Sequence, residues 1–452
     1  MGVGASNENN LPPTPSGQRP SKSDISPVPE ASLPERFLTA PLNTAPQQRK
    51  PSHELDETWG TRKRMAALIS HVDQAGVDEM IDRAMRMGNP PNFMAQYHPQ
   101  THWLWRQWHG TVLQRTWPAA SWMMFLSVML VFVMEIARRD GTHTWSLFEV
   151  PNPDDRWVAR MKGFTTMWGY LLTMATFVNS FFLSQAYGYW LATKGNVRKV
   201  QGRINDMSML LASHARRDPS GRYTAASYEM LEVIARWVRL YHMLFWAGQV
   251  RPARGDNAVS YSLLRTERGL HGLQERGALT SEEYELLIDN PAIPETARHH
   301  AVLEWILTRF LDARRGGLLD GGVGLESRFL EESCKLRAVC ASIADDASAR
   351  MPLSYVHLVQ LLVDTLVALA PLALYPKLGV LTILLSGILV TFYRGFLQLS
   401  KSFLDPFGNG DTLAENFSIS CLLCETNAGS VRWFNAIQQL PFETAEQSGR
   451  QT

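Results

Sequence analysis

Four blocks of apolar residues interrupt an otherwise polar chain. The first runs from Pro118 to Ala137, with its single acid, Glu135, at the far end. The second, Gly163 to Trp190, carries no charged residue at all. The third runs from Pro352 to Tyr375 and is interrupted by Asp364; the fourth runs from Leu378 to near Leu399 with Arg394 toward its end. A helix needs roughly 20 consecutive apolar residues to cross a bilayer core, and each block is that long. Only Pro376 and Lys377 separate the last two, which predicts a tight helical hairpin. The pattern predicts an all-α membrane protein with four transmembrane helices and a helical cytosolic domain.

The intervening segments are helical in period. Between Glu54 and Arg86, Met65, Leu68, Ile69, Val72, Val77, Met80 and Ile81 recur at the spacing of one or two amphipathic helices. In Tyr228–Trp246, Leu231, Ile234, Val238, Tyr241 and Phe245 form one stripe. Glu229, Glu232, Arg236, Arg239 and His242 interrupt that segment, which makes it a buried helix and not a fifth span. Glu326–Met351 predicts a second long helix, ended by Pro352. Residues 1–52 hold ten of the 25 prolines among Ser, Asn, Gln and Thr, a composition too poor in apolar surface to fold. The predicted organisation is a disordered arm (1–52), interfacial helices (53–117), a first pair of spans (118–192), a cytosolic domain (193–350), a second pair of spans (351–400) and a cytosolic tail (401–452).

Charge changes the picture in two ways. Lys+Arg 44 against Asp+Glu 43 leaves +1, with no overall field for nucleic acid. The mean hydropathy of −0.15 conceals how strongly the apolar residues are segregated. Basic residues near span ends set orientation. Lys194, Arg198, Lys199 and Arg203 follow the second block, and Arg350 and Lys401 flank the hairpin. The loop 138–162 instead mixes its basic residues with Asp140, Glu149, Asp154 and Asp155. Both termini are therefore expected in the cytoplasm, with the chain in the plasma membrane or an internal one, a chloroplast or thylakoid membrane included.

Candidate chemistry is sparse. Cys334, Cys340, Cys421 and Cys424 are too few and too clustered for a disulfide framework, and Cys421-x-x-Cys424 lacks a second pair for zinc. Glu295/His299 and His300/Glu304 sit one helical turn apart, as do His98 and His102, and they define the alternative reading of a membrane metalloenzyme. With no Walker loop, nucleophile elbow or Cys/His nucleophile arrangement, no enzyme is expected. Met1-Gly2-Val3-Gly4-Ala5-Ser6 fits the N-myristoylation pattern, with Gly2 as acceptor. A charge within hydrocarbon costs at least ~2.5–3.5 kcal/mol on insertion scales, so Asp364 and Arg394 should face protein or water. Counted from Pro376, their depths differ by six residues, roughly 9 Å, so pairing is not expected. Thr173, Phe177 and Phe181 fall at i, i+4 and i+8 on the charge-free second span. Repeated around a symmetry axis, such a stripe forms an apolar constriction that can gate by dewetting.

Several tags spread over about 300 residues resemble the bestrophin family. They are Phe177-Val178-Asn179-Ser180-Phe181-Phe182 followed by Trp190, Arg106-Gln107-Trp108-His109-Gly110, Glu332 to Cys340 with Lys335-Leu336-Arg337, Met351-Pro352-Leu353-Ser354-Tyr355, and Asp405-Pro406-Phe407-Gly408. The resemblance implies a homopentamer with one central pore. Chloride and perhaps bicarbonate would be the permeant anions and membrane lipid the surroundings, with a cation-selective pore as the alternative. It places a neck at Thr173, Phe177 and Phe181, with a hydroxyl where the family has an apolar residue, and a cytosolic aperture near Val323 and Gly324. Animal members follow this last motif with a dense acidic cluster that grips calcium. Here Asn409, Gly410, Asp411, Thr412 and Leu413 follow, so the tail is closer to plant, algal and bacterial members. No cofactor is expected to be required, and any calcium site, at Asp405 and Asp411, should be weak.

Overall fold

The computed structural model describes residues 73–95, 106–108, 110–137, 156–250, 260–408 and 416–440. Gly2, the 1–52 arm, the loop 138–155, His98, His102 and Asp411 lie outside them. The described chain is helical, with only isolated β-bridges. Its α-helices are α1 (Gln74–Met85), α2 (Val112–Ala137), α3 (Arg156–His214), α4 (Ala225–Gln249), α5 (Glu267–Glu275), α6 (Ser281–Ile288), α7 (Arg298–Arg315), α8 (Gly322–Ser348), α9 (Leu353–Leu378), α10 (Thr382–Phe403) and α11 (Ile419–Ala436).

Two stretches, Val112–Ile136 and Leu353–Phe403, are long and apolar enough to cross a membrane. The second is the hairpin, reversing through a 3₁₀ turn at Gly379–Leu381. Its turn lies later than the sequence suggested: α9 runs through Pro376 to Leu378. Pro118 likewise lies inside α2. α2 packs closely on α10 where glycines replace side chains. A Cβ on Gly387 would stand 2.7 Å from the Met124 Sδ, and one on Gly395 2.8 Å from the Val112 Cγ1. Small residues let helix backbones approach where water supplies no driving force.

α3 links this apolar region to a polar helical body. At 59 residues it is about 88 Å long, at 1.5 Å per residue. Past Trp190 its buried positions, Val197, Val200, Ile204, Met207 and Leu211, enter a core built with α4, α7, α8 and α11. The charged positions in the Tyr228–Trp246 stretch place that segment in this body, as α4, with Thr224 accepting from Ser227 N to start it. Phe310 and Phe329 stack at 4.0 Å between centroids and join α7 to α8. Two carboxylates are buried with guanidinium partners: Glu283 accepts from Arg236 at 2.5 and 2.7 Å, and Glu332 from Arg203 at 2.6 Å. Burial alone would raise both acids, but these donors and the neighbouring cations hold both below the usual carboxylate range.

An aromatic knot closes the junction between body and hairpin. Phe407 lies 5.5 Å from Trp246 and 6.0 Å from Phe417, which lies 5.3 Å from Trp190 and stacks on Phe93 at 5.0 Å. The Asp-Pro-Phe-Gly tag thus inserts its phenyl ring into the core. Its glycine has φ +60°, and a Cβ there would meet the Asn416 Nδ2 at 2.1 Å, so both conformation and space require glycine.

Candidate functional site

α3 has one bonded face and one bare face beside the hairpin. On the bonded side Trp168 Nε1 donates to Leu366 O at 3.0 Å, Thr165 Oγ1 to Ala373 O at 3.2 Å and Asn179 Nδ2 to Tyr393 O at 3.1 Å. The Thr176 and Tyr393 hydroxyls are 2.5 Å apart. Bonds from side chain to backbone fix the rotation of a helix about its axis, because each needs a particular side chain at a particular carbonyl. The opposite face is thereby set.

That opposite face carries all three predicted neck residues. Phe177 is 73% exposed and Phe181 50%, with their rings stacked at 6.5 Å. Thr173 is exposed and returns its hydroxyl to Gly169 O at 3.1 Å, which leaves its methyl group on the outer surface. Met167, Tyr170 and Met174 extend the bare stripe. Below it the stripe changes character. Met167, Met174, Phe181, Gly188, Gly195 and Gly202 recur every seven residues, and a Cβ on any of the three glycines would meet nothing within 4 Å. A seven-residue repeat is the spacing of a helix seam facing other helices. The glycine half of this repeat was readable in the sequence from its spacing alone, but the aromatic residues drew the reading to the upper half.

Val323 and Gly324 lie in the first turn of α8. Val323 is 79% exposed, and a Cβ on Gly324 would meet open space. The helix begins after Gly321, at φ +113°. That conformation and the closeness of the His214 ring, 2.7 Å from where a Cβ would sit, make Gly321 a position for glycine only.

Of the two calcium candidates, the described one is already engaged. Asp405 accepts from Arg350 NH1 at 2.7 Å and sits in the turn after α10, where its backbone C=O accepts from Gly408 N. His299 faces Tyr241 and Phe245 with the His300 ring 4.0 Å away, while Glu304 is exposed. Desolvation, helped by the nearby His300, pushes His299 down to about 4. Among the described residues no three His, Cys, Asp or Glu side chains are grouped to hold a metal. The four cysteines are free: Cys340, Cys421 and Cys424 are buried, and the Cys340 Sγ accepts from the Tyr241 hydroxyl.

The two charges of the apolar hairpin are paired, contrary to the depth count. Arg394 donates to Asp364 at 3.0 Å, Gln360 Nε2 holds the other carboxylate oxygen, and Lys401 reaches the Gln360 Oε1. With the reversal at Gly379, each charged residue lies fifteen positions from the turn, so both sit about 22 Å from it along their helices. Pro376 was the wrong origin for the count because the helix runs through it.

No family model matches the chain, and no curated protein matches it in sequence. Solved structures do match. A bacterial bestrophin homologue from Klebsiella pneumoniae superposes with a TM-score of 0.51 at 14% identity, over 71% of this chain and 98% of that one. A mutant of that homologue gives 0.50 at 15% identity, over 73% and 100%. A structure described as a membrane protein variant gives 0.51 at 13%, over 70% and 97%. At such identities the match speaks for architecture, and it spans nearly the whole of each matched chain. The chain has the fold of the bacterial bestrophin homologues.

Proposed function

We propose that the chain forms a bestrophin-type ion channel, a homopentamer around one central pore, passing small anions such as chloride and bicarbonate. α3 lines the neck, α2, α9 and α10 complete four spans, and both termini and the helical body lie in the cytoplasm. One observation supports this above the others: α3 is clamped to the hairpin on one side and leaves Met167, Tyr170, Met174, Phe177 and Phe181 bare on the other. A monomer gains nothing from such a stripe, whereas copies arranged about an axis would turn it inward as a water-repelling ring. The engaged Asp405 supports a channel that does not depend on calcium.

The test is a planar bilayer recording of purified protein in a tenfold chloride gradient. A reversal potential displaced toward the chloride equilibrium value, with a fivefold mass in native mass spectrometry, is the expected result. A reversal potential of the opposite sign would assign a cation channel. Absence of current from an intact oligomer would refute the channel reading.

A further inference from the structure

The ends of α3 and α7 and the start of α8 are tied into one knot. Arg216 N donates to Leu318 O, and Asp320 N to His214 O, both at 2.8 Å. Arg314 NH1 reaches Leu319 O at 3.1 Å, and the loop after α3 turns back so that Thr224 N donates to Arg216 O at 3.2 Å. This arrangement gathers Arg216, Arg217, Arg222, Arg314 and Arg315. Among the described residues none of the five has a carboxylate within 4.0 Å, whereas the arginines on either side, Arg309 and Arg328, are ion-paired. Asp218 spends its carboxylate on its own turn, accepting from Ser220 Oγ, Ser220 N and Arg222 N. Arg217 lies over the Tyr223 ring at 3.9 Å and donates to Gly221 O, and Arg314 is held by its bond to Leu319, so two of the charges are fixed in place. Arg216 and Arg315 are exposed. The knot borders the first turn of α8, because the His214 ring packs on Gly321, two residues before the exposed Val323.

We propose that this arginine knot gathers small anions at the mouth marked by Val323, raising their local concentration by long-range charge instead of binding them in a fixed pocket. The proposal rests on the channel reading above. Five guanidiniums against the carboxylates of Asp218 and Asp320 leave a net charge of about +3 beside one opening and create a positive potential, and charge-lined openings raise the local counter-ion concentration by about tenfold or more at low salt. Such a field reaches ~30 Å at 0.01 M salt and ~3 Å at 1 M. The effect must therefore vanish in concentrated salt, which separates it from a structural role.

Arg216→Gln with Arg315→Gln removes two of the three exposed charges, Arg222 being the third. Neither guanidinium has a carboxylate partner, so folding should survive. In symmetric 10 mM chloride the double variant should lose about two- to fivefold of the unitary anion current, and in 1 M chloride it should match the unmodified channel. A second measurement needs no current. With Val323→Cys in a Cys334→Ala background, the full-length protein is treated with negatively and positively charged methanethiosulfonates. The ratio of the two rates cancels changes in thiol ionisation and reports the potential at residue 323. It should fall several-fold on removing the two arginines at 10 mM salt and converge at 1 M. An unchanged ratio at low salt, or a difference that persists at 1 M, overturns the inference. Silent bilayers with a falling ratio would instead count against the channel reading and support the charge at this mouth.

Discussion

Removing one partner of the Asp364–Arg394 pair should be costly, and removing both should not. Each charge in the apolar span would cost ~2.5–3.5 kcal/mol on insertion scales if left alone. The Arg394 and Asp364 side chains are 36% and 38% exposed in the single chain, which lets solvent screen the pair, and Gln360 and Lys401 extend the network, so a loss of about 1.5–3 kcal/mol is expected for a single substitution. The two singles should differ. After Arg394→Leu, Asp364 keeps its bond from Gln360. After Asp364→Leu, Arg394 loses its carboxylate partner, and its Nε already lacks a partner. Asp364→Leu should therefore be the worse substitution. The double Leu/Leu variant should recover to within about 1 kcal/mol of the native protein, because an apolar pair in an apolar hairpin carries no desolvation penalty. The cycle is read from denaturant unfolding in mixed micelles, followed by tryptophan fluorescence. Additive single effects, with coupling below about 0.5 kcal/mol, would show that the bond at 3.0 Å contributes nothing and that each charge is solvated separately.

Three further outcomes are expected. Phe177→Ala together with Phe181→Ala should give a leakier, less gated pore; unchanged open probability with normal assembly would count against a neck at these rings. Stepping free calcium from chelated to about ten micromolar should not activate the channel, any residual site being weak, at roughly 10⁻⁴–10⁻³ M. A steep activation abolished by Asp411→Ala would overturn that reading. His242 is fully buried, accepts from Trp246 Nε1 at 2.6 Å, and is driven down to about 3 by desolvation. The unfolded chain takes up this proton below ~6.5 and the folded one does not until about 3, so stability must fall as pH drops across that window. At pH 5 the loss should be ~2 kcal/mol. Melts of the His242→Gln variant at pH 7.5 and 5 should show that loss removed, and a slope equal to the native one would exclude His242 as its source.

What the sequence disclosed was periodic and local. The hairpin, the buried character of Tyr228–Trp246 and the Thr173/Phe177/Phe181 face could all be read because a few residues carry each pattern. The hairpin's turn was misplaced because a proline was taken as a boundary. Pro376 lies in the last turn of α9, where only one backbone bond is lost by lacking an N–H. That small error displaced the depth count by six residues and hid the Asp364–Arg394 pair. The arginine knot was invisible for another reason. Ala-Arg-Arg occurs at 215–217 and again at 313–315, but nothing local says that the ends of α3 and α7 meet. Only the backbone bonds through Leu318 and Asp320 bring the two copies together. The same holds for Asp405: its acid was legible, while its Arg350 partner required the fold.

α3 passes from the hairpin into the helical body without an interruption, and that continuity has a mechanical result. A helix held by bonds at both ends behaves as a stiff rod, and about 88 Å of it makes a long lever arm. Pivoting it by about 2° near its midpoint moves each end by roughly 1.5 Å, comparable to the small helix shifts by which oligomers switch state. In the proposed pentamer a push on the lower end, where Arg216 is tied to Leu318, would reach Phe177, about 12 Å from the midpoint, as a shift of roughly 0.4 Å without any hinge between them. Several copies tilting together would widen or narrow their shared opening like the blades of an iris.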